Sequence, residues 1–344
     1  MKNNIDKIVN QSYKYPGLFT LALRLVVGWT YFSAFWRRLV LEYKLDPEVA
    51  GYIGGKFNTF LPNALGIKPI IHHLVTHPEL LWWAMAAFTI IEGIVGLLFM
   101  FGFFTRLMSV GVFSLAMGIL LGSGWLGTTC LDEWQIGVLG IAAGFTIFLT
   151  GSSHYSLDHW LSVRNYKITR KKWFRWIGSG ELPMSFNKLN KAVLTGSLLI
   201  LFVTLFTNQY FSGGVWGTLH NKSVKPKIEI TDASIHKSRL SFTVFRVEGV
   251  DVYGSFLIGI NLKNKDGKTV LQLNGEELAH FPVRNIKNDY IEKVKPGAHS
   301  LIIPLGAKAT INIDIAQPDS LSAGTYQLTL TDISGAEWKS NVGL

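Results

Sequence analysis

The stretch Leu80-Leu-Trp-Trp-Ala-Met-Ala-Ala-Phe-Thr-Ile-Ile-Glu-Gly-Ile-Val-Gly-Leu-Leu-Phe-Met-Phe-Gly102 decides how this chain can fold. It carries one charge, on Glu92, and it is as long as the roughly 20 helical residues that cross the core of a bilayer. Four other stretches have the same character. The predicted transmembrane helices therefore lie near residues 18–37, 80–102, 107–124, 134–151 and 192–211.

Composition supports a membrane protein and excludes several other classes. The 344 residues are 48% hydrophobic and only 16% charged, although the net charge is +10. One cysteine allows no internal disulfide, and no flavin, haem, iron–sulfur or metal motif is recognisable. Neither a phosphate-binding loop nor a dinucleotide fingerprint occurs.

The basic segment Arg164-Asn-Tyr-Lys-Ile-Thr-Arg-Lys-Lys-Trp-Phe-Arg175 predicts the topology. The positive-inside rule assigns it to the cytoplasm, so residues 38–79, 125–133 and everything after 211 face outward. We expect a multi-pass protein of the inner membrane with a cytoplasmic N-terminus and a periplasmic or extracellular C-terminal domain. Because the segment abuts a membrane helix, anionic lipid explains its charge, and no nucleic-acid partner is expected.

From Lys225 onward apolar and polar residues alternate, as in half-buried strands. Examples are Leu240-Ser-Phe-Thr-Val-Phe245 and Tyr326-Gln-Leu-Thr-Leu-Thr331. The predicted fold is a membrane α-helical bundle of four helices plus a fifth transmembrane helix, followed by an extracytoplasmic antiparallel β-sandwich of immunoglobulin-like type. The predicted boundaries are 1–163 for the bundle, 164–190 for the cytoplasmic basic loop, 191–212 for the fifth helix and 213–344 for the β-sandwich.

Several motifs resemble a known family, the thiosulfate:quinone oxidoreductases, with a DoxD-like and a DoxA-like part in one chain. The DoxD likeness, which the wider DoxX-like superfamily shares, rests on Arg24-Leu-Val-Val-Gly28, Glu92-Gly-Ile-Val-Gly-Leu97 and Phe101-Gly-Phe-Phe-Thr-Arg106. The segment Gly213-Gly-Val-Trp-Gly-Thr-Leu-His-Asn-Lys-Ser-Val-Lys-Pro226, leading into strands, is similar to the start of DoxA.

The resemblance implies that thiosulfate is oxidised to tetrathionate outside the membrane and that a membrane quinone accepts the electrons. Thiosulfate, quinone and the lipid bilayer are then the partners, and a homo-oligomer is possible. The alternative from another class is a non-catalytic membrane scaffold, or an anion transporter, whose β-sandwich recruits a partner.

The lone thiol lies in Gly124-Trp-Leu-Gly-Thr-Thr-Cys-Leu-Asp-Glu-Trp-Gln135, just before the fourth predicted helix. Backbone amides of a helix N-terminus favour a thiolate at Cys130, whereas Asp132 and Glu133 oppose it. We hypothesise that Cys130 carries a thiosulfate sulfur covalently and that the two carboxylates handle protons. The alternative for Cys130 is a small buried apolar residue.

Cations in the other outward loop are candidates for binding the thiosulfate dianion. Arg37 and Arg38 end the first predicted helix, and His72 and His73 follow in the loop. The arginines could instead interact with lipid headgroups. The triplet of His72, His73 and His77 lacks a recognised ligand spacing, so no metal site is predicted.

Charges inside the apolar helices and outward aromatic residues are candidates for quinone binding. Arg24 and Glu92 are predicted to pair, because an unpaired charge in a bilayer is costly; the pair is either a structural contact or a quinone and proton site. Trp36, Trp125 and Trp134 could form flat apolar walls for a quinone, or could belong to an interfacial aromatic belt.

Overall fold

The computed structural model describes residues 15–49, 51–126, 132–180, 182–221, 225–249, 254–315 and 324–343. These residues divide into two compact units. The first unit contains the described residues up to Tyr52, with Trp82–Gly124 and Asp132–Gly217. The second contains Ile53–Leu81, Trp125, Leu126 and the described residues from Thr218 onward.

The helices follow the apolar stretches of the sequence. In chain order they are α1 (Tyr15–Phe19), α2 (Leu21–Phe35), α3 (Ile53–Phe60), α4 (Lys68–Val75), α5 (Pro78–Phe101), α6 (Thr105–Ser123), α7 (Asp132–Thr150), α8 (Leu157–Val163), α9 (Phe174–Ile177), α10 (Phe186–Phe211) and α11 (Gly275–Ala279). A π-helix, Trp36–Leu41, continues α2, and a 3-10 helix, Val283–Asn285, follows α11.

Four helices among the described residues are long and apolar enough to span a membrane, namely α5, α6, α7 and α10. They confirm the helical membrane part of the predicted fold. The first predicted span differs, because its α-helical part has 15 residues and passes directly into the π-helix. The charges of Arg37 and Arg38 fall in that π-helix, so the apolar run is shorter here than the sequence suggested.

Glycines bring α2 and α5 into close contact within the first unit. A Cβ at Gly96 would lie 2.4 Å from the Phe32 backbone nitrogen, and one at Gly28 would lie 2.7 Å from Met100 Cβ. Small residues at a helix crossing allow two backbones to approach closely in a membrane. The contacts place residue 28 opposite 96–100 and residue 32 opposite 96, so the helices run antiparallel in a defined register.

The second unit contains a ten-stranded sheet. Its strands are β1 (Lys227–His236), β2 (Arg239–Glu248), β3 (Ser255–Lys263), β4 (Thr269–Asn274), β5 (Ile286–Asn288), β6 (Lys295–Pro296), β7 (Leu301–Ile303), β8 (Lys308–Asp314), β9 (Thr325–Asp332) and β10 (Glu337–Gly343). The order is β5-β8-β2-β1-β10-β9-β3-β7-β6, with β4 paired to β3.

The sheet folds over one hydrophobic core. In β8 the alternate residues Ala309, Ile311 and Ile313 are buried, and β9 buries alternate residues in the same cluster. The predicted all-strand domain is confirmed, with two differences. One continuous sheet encloses the core, and β1 pairs with β10 in parallel at Ser234 and Gly343, whereas the other pairings are antiparallel.

Helices α3 and α4 contact segments that connect strands within the second unit. Asn58 is fully buried; its Nδ2 donates to Gly306 O at 3.0 Å and its Oδ1 accepts from Glu292 N at 3.3 Å. Gly306 has a φ of +77°, and a Cβ there would lie 1.8 Å from Asn58 O. The folding of this loop, which the sequence did not predict, therefore depends on segments between strands that are far away in the chain.

Candidate functional site

A partly buried ion pair lies in the helical bundle. Arg38 Nη1 donates to Glu92 Oε2 at 2.5 Å, and the Glu92 side chain is only 5% exposed whereas Arg38 is 29% exposed. Arg38 belongs to the π-helix, a rare geometry that occurs frequently at functional sites. A charge in this setting is costly unless it is paired, so the contact explains how Glu92 is tolerated in α5.

The predicted pairing of Arg24 with Glu92 is wrong. Arg24 Nη2 donates to the backbone oxygen of Tyr155, and the Arg24 guanidinium lies against Gly102, at the end of α5. Gly102 is ten residues beyond Glu92, or roughly 15 Å of helix. The register of α2 against α5 therefore places Arg24 too far along the bundle and brings Arg38 to Glu92.

Two buried hydroxyl groups accompany the ion pair. Tyr31 is 3% exposed and Thr89, one turn before Glu92, is 0% exposed. Within the described structure neither hydroxyl has a hydrogen-bond partner. The Glu92 carboxylate lies near enough to act electrostatically on Tyr31. We call Tyr31, Arg38, Thr89 and Glu92 the bundle polar cluster.

A pocket of about 370 Å³ lies between α2 and α7 and includes Tyr31 in its wall. Its lining residues, which are mostly apolar, are Leu23, Val27, Thr30, Tyr31, Ile136, Leu139, Gly140, Ala142, Ala143 and Thr146. The Thr30 and Thr146 hydroxyls donate within their own helices, to Val26 O at 2.9 Å and Ala142 O at 2.8 Å. The sequence carries no local signal for this pocket, because it depends on how two helices pack.

Along the chain, the residues predicted to be catalytic come just before α7 and at its first two positions. Cys130 lies outside the described residues, as do Thr128 and Thr129. Asp132 and Glu133 form the first turn of α7, where Asp132 is exposed. Acidic side chains in this position interact favourably with the helix dipole.

The residues predicted to bind thiosulfate fall into two groups. Arg37 is exposed, and its Nε and Nη2 donate to Ser33 O and Ser33 Oγ, each at 3.3 Å. Arg38 is held by Glu92. His72 and His73 belong to α4 in the other unit, where His72 packs edge-on against Tyr290 with the ring centres 5.7 Å apart. Among the described residues, no group of three or more histidine, cysteine, aspartate or glutamate side chains is placed to hold a metal ion.

The residues predicted to bind quinone do not form one group. Trp36 is exposed and packs on Phe32 at a ring distance of 6.0 Å, while Arg24 lies at the opposite end of the same helix. Trp134 Nε1 donates to Thr207 Oγ1 at 3.0 Å, which joins α7 to α10. Trp125 is buried and belongs to the second unit.

A buried network on the side of the basic segment was also missed. Asp158, which follows the fourth predicted helix, is fully buried. Its carboxylate accepts from Phe104 N, Thr105 N and Ser179 Oγ at 2.9, 3.0 and 2.9 Å. It thereby satisfies backbone donors at the start of α6, which is a structural role. The feature of the sequence that could have indicated this network is the Phe101–Arg106 motif. Its turn contains Gly102 and Phe104, which both have positive φ angles.

Comparison with protein families finds two matches. A family model described as "TQO small subunit DoxD" matches residues 19–185. A second, described as "TQO small subunit DoxA", matches residues 211–341. The first range contains α2 and the spans α5, α6 and α7, and the second contains all the strands of the sheet up to β10.

Proposed function

The chain belongs to the DoxD and DoxA families, the small subunits of thiosulfate:quinone oxidoreductase, and from this premise we propose that it oxidises thiosulfate to tetrathionate and reduces a membrane quinone. The observation that carries the proposal is the presence of both families in one chain, in succession. A single polypeptide then contains the parts that the two family names assign to two small subunits.

The reaction balances without a further cofactor. Two thiosulfate dianions lose two electrons and form the central S–S bond of tetrathionate, and the quinone gains these two electrons and two protons. Thiosulfate is a hydrated dianion and the quinone dissolves in the bilayer. The protein therefore has to bind one substrate from water and the other from the lipid. The four membrane helices and the bundle polar cluster support this assignment, because intramembrane ionisable residues are expensive and usually functional.

For thiosulfate we propose a site on the outer side that includes Cys130, Asp132, Glu133 and Arg37. Cys130 forms an S-thiosulfonate adduct when quinone takes two electrons from the thiol and one thiosulfate. A second thiosulfate then attacks the adduct, tetrathionate leaves, and the thiolate returns. Arg37 holds the dianion; Arg38 is assigned instead to Glu92, with which it is paired.

Purified protein supplied with thiosulfate and a short-chain quinone tests the activity. We expect one quinol for every two thiosulfates consumed. Complete absence of quinol formation would overturn the proposal in favour of a scaffold or an anion transporter.

The Cys130→Ser variant tests the covalent step, because serine keeps the size but cannot accept the sulfur. Turnover should disappear while the melting temperature stays unchanged, and an adduct of thiosulfate mass should appear only on the wild type. Near-normal turnover of the variant would replace the covalent step by a direct reaction of bound thiosulfate with quinone.

A further inference from the structure

We propose that the pocket between α2 and α7 binds the quinone ring and that the Tyr31 hydroxyl donates a hydrogen bond to one quinone carbonyl. The inference rests on the proposed function and names the place where its electron acceptor binds. It differs from the tryptophan site suggested by the sequence, since none of Trp36, Trp125 and Trp134 lines this pocket.

The shape and lining of the pocket fit a quinone ring. Its volume of about 370 Å³ lies within the usual range for small-molecule sites. A quinone ring is flat and apolar and carries carbonyl acceptors, so it requires apolar walls with few donors. The Thr30 and Thr146 hydroxyls already donate within their own helices, which leaves Tyr31 as the lining hydroxyl without a partner in the described structure.

Tyr31 is placed to serve as this donor. Buried hydroxyl groups nearly always have a hydrogen-bond partner, yet Tyr31, which is 97% buried, has none within the described residues. Its hydroxyl lies at Gly140, another lining residue, and a Cβ at Gly140 would come within 2.8 Å of the Tyr31 oxygen. Glycine at this position therefore leaves space for the hydroxyl at the pocket wall. A bound carbonyl would complete its hydrogen bonding.

The bundle polar cluster connects this donor to an ionisable group. Reduction of the quinone adds two electrons, which come from two thiosulfates, and two protons, which go to its carbonyl oxygens. The Glu92 carboxylate acts electrostatically on Tyr31, and Arg38 holds that carboxylate in place, although no hydrogen bond joins Tyr31 to Glu92 within the described residues. The charges of Glu92 and Arg38 thus set the electrostatic environment of the Tyr31 donor.

Photolabelling tests the site without requiring turnover. A short-chain benzoquinone carrying an azido group should label peptides of α2 and α7, and unlabelled quinone should compete. Thr30→Trp, which fills the rim of the pocket, should reduce the label at least about fivefold. The control is Leu25→Trp, since Leu25 is exposed on the same helix but does not line the pocket. Equal labelling of all lipid-facing helices would overturn the proposal and indicate occupancy by acyl chains.

The Tyr31→Phe variant tests the hydrogen bond. The change removes one oxygen that has no partner in the described structure, so the melting temperature should stay the same or rise. The KM for quinone should increase about fivefold to tenfold, while the KM for thiosulfate stays constant. Tyr210→Phe, on the exposed face of α10, is the matched control. An unchanged KM for quinone would show that Tyr31 does not contact it. If the wild type makes no quinol but the pocket is labelled, the proposed reaction fails and the site remains.

Discussion

At the scale of single residues, Arg38 and Glu92 show that a charged side chain within a membrane bundle requires a partner of opposite charge. A carboxylate with 5% exposure in α5 requires a cation at the same depth, and the register of α2 leaves Arg38 in that position. Arg38 keeps part of its side chain exposed, as long cationic side chains do near the ends of membrane helices. The pair therefore joins the end of the first helix to the interior of the bundle.

A double-mutant cycle should detect this pair. Glu92→Leu leaves the Arg38 guanidinium without its partner and should lower the free energy of unfolding by about 2–3 kcal/mol, somewhat less than a fully buried pair would cost. Replacing both Arg38 and Glu92 by leucine should cost less than the single change. Unfolding in mixed micelles measures these values. In a second cycle, the losses of unfolding free energy from replacing Arg24 and Glu92 should be additive. A coupling energy between Arg24 and Glu92 would contradict the observed register of α2 against α5.

Glu292 in the second unit should make stability depend on pH. Burial raises the pKa of this carboxyl above its ordinary value of 4.5, although the charges of Lys295 and Lys56 act in the opposite direction. Between the unfolded and folded pKa values the folded protein binds more protons. Stability should therefore fall as the pH rises from about 4.5 through the raised pKa, and stay level above it.

The Glu292→Gln variant should lack this fall. Its stability relative to the wild type should improve between acidic and neutral pH, as measured by thermal unfolding of the full chain at a series of pH values. Glu276→Gln is the control, because Glu276 is exposed. A pH profile of Glu292→Gln parallel to that of the wild type would show that Glu292 titrates normally.

At the scale of elements, the glycines of Glu92-Gly-Ile-Val-Gly-Leu97 explain why this motif identifies the bundle. Gly93 and Gly96 face α2, where a Cβ would meet Phe35 at 2.5 Å and Phe32 at 2.4 Å. Without a hydrophobic driving force between helices, close backbone packing is a main source of helix association in lipid. The motif thus positions Glu92 for Arg38 by fixing the helix contact beside it.

Gly96→Val should separate α2 from α5. The added side chain meets backbone atoms that cannot give way, so we expect a loss of about 3 kcal/mol or more, or no folded protein. Gly118→Ala in α6 is the control, because a Cβ there meets nothing within 4 Å; it should be neutral or stabilise by up to about 1 kcal/mol. Thermal unfolding in detergent distinguishes the two. A well-folded Gly96→Val protein would contradict the tight crossing.

At the scale of the whole molecule, the contacts of Asn58 constrain the topology. The loop containing α3 and α4 hydrogen-bonds to segments that connect strands of the second unit, so we expect the loop and the strands to be on the same side of the membrane. Four candidate spans separate them in the chain, and an even number of crossings returns a chain to its starting side. The charge of residues 164–175 predicts that this side is the outer one.

Single cysteines introduced into a Cys130→Ser background test this arrangement. A membrane-impermeant maleimide added to spheroplasts should label Ile70→Cys in α4 and Lys265→Cys after β3, whose parent residues are both exposed. Lys171→Cys should react only after permeabilisation. Labelling of Ile70→Cys and Lys265→Cys from opposite sides would contradict the shared unit, whereas a complete reversal would contradict only the orientation.

The sequence by itself determined the classes of structure and their order. Apolar runs predicted α5, α6, α7 and α10, and alternation predicted strands such as β9, because both patterns are local consequences of backbone geometry and the surrounding solvent. Short motifs in the helices and in the segment before the strands also indicated the two families. These signals require no knowledge of which element packs against which.

Only the tertiary structure decided the partners. Glu92 pairs with Arg38 rather than Arg24, Asp158 is buried, and Asn58 hydrogen-bonds to segments between strands more than 200 residues away. Each contact depends on helix register or on chain segments that approach only after folding. The pocket beside Tyr31 has the same origin, since it exists where α2 and α7 pack incompletely. Periodicity along a chain shows which face of an element is apolar, but the depth and identity of its neighbour follow from packing in three dimensions.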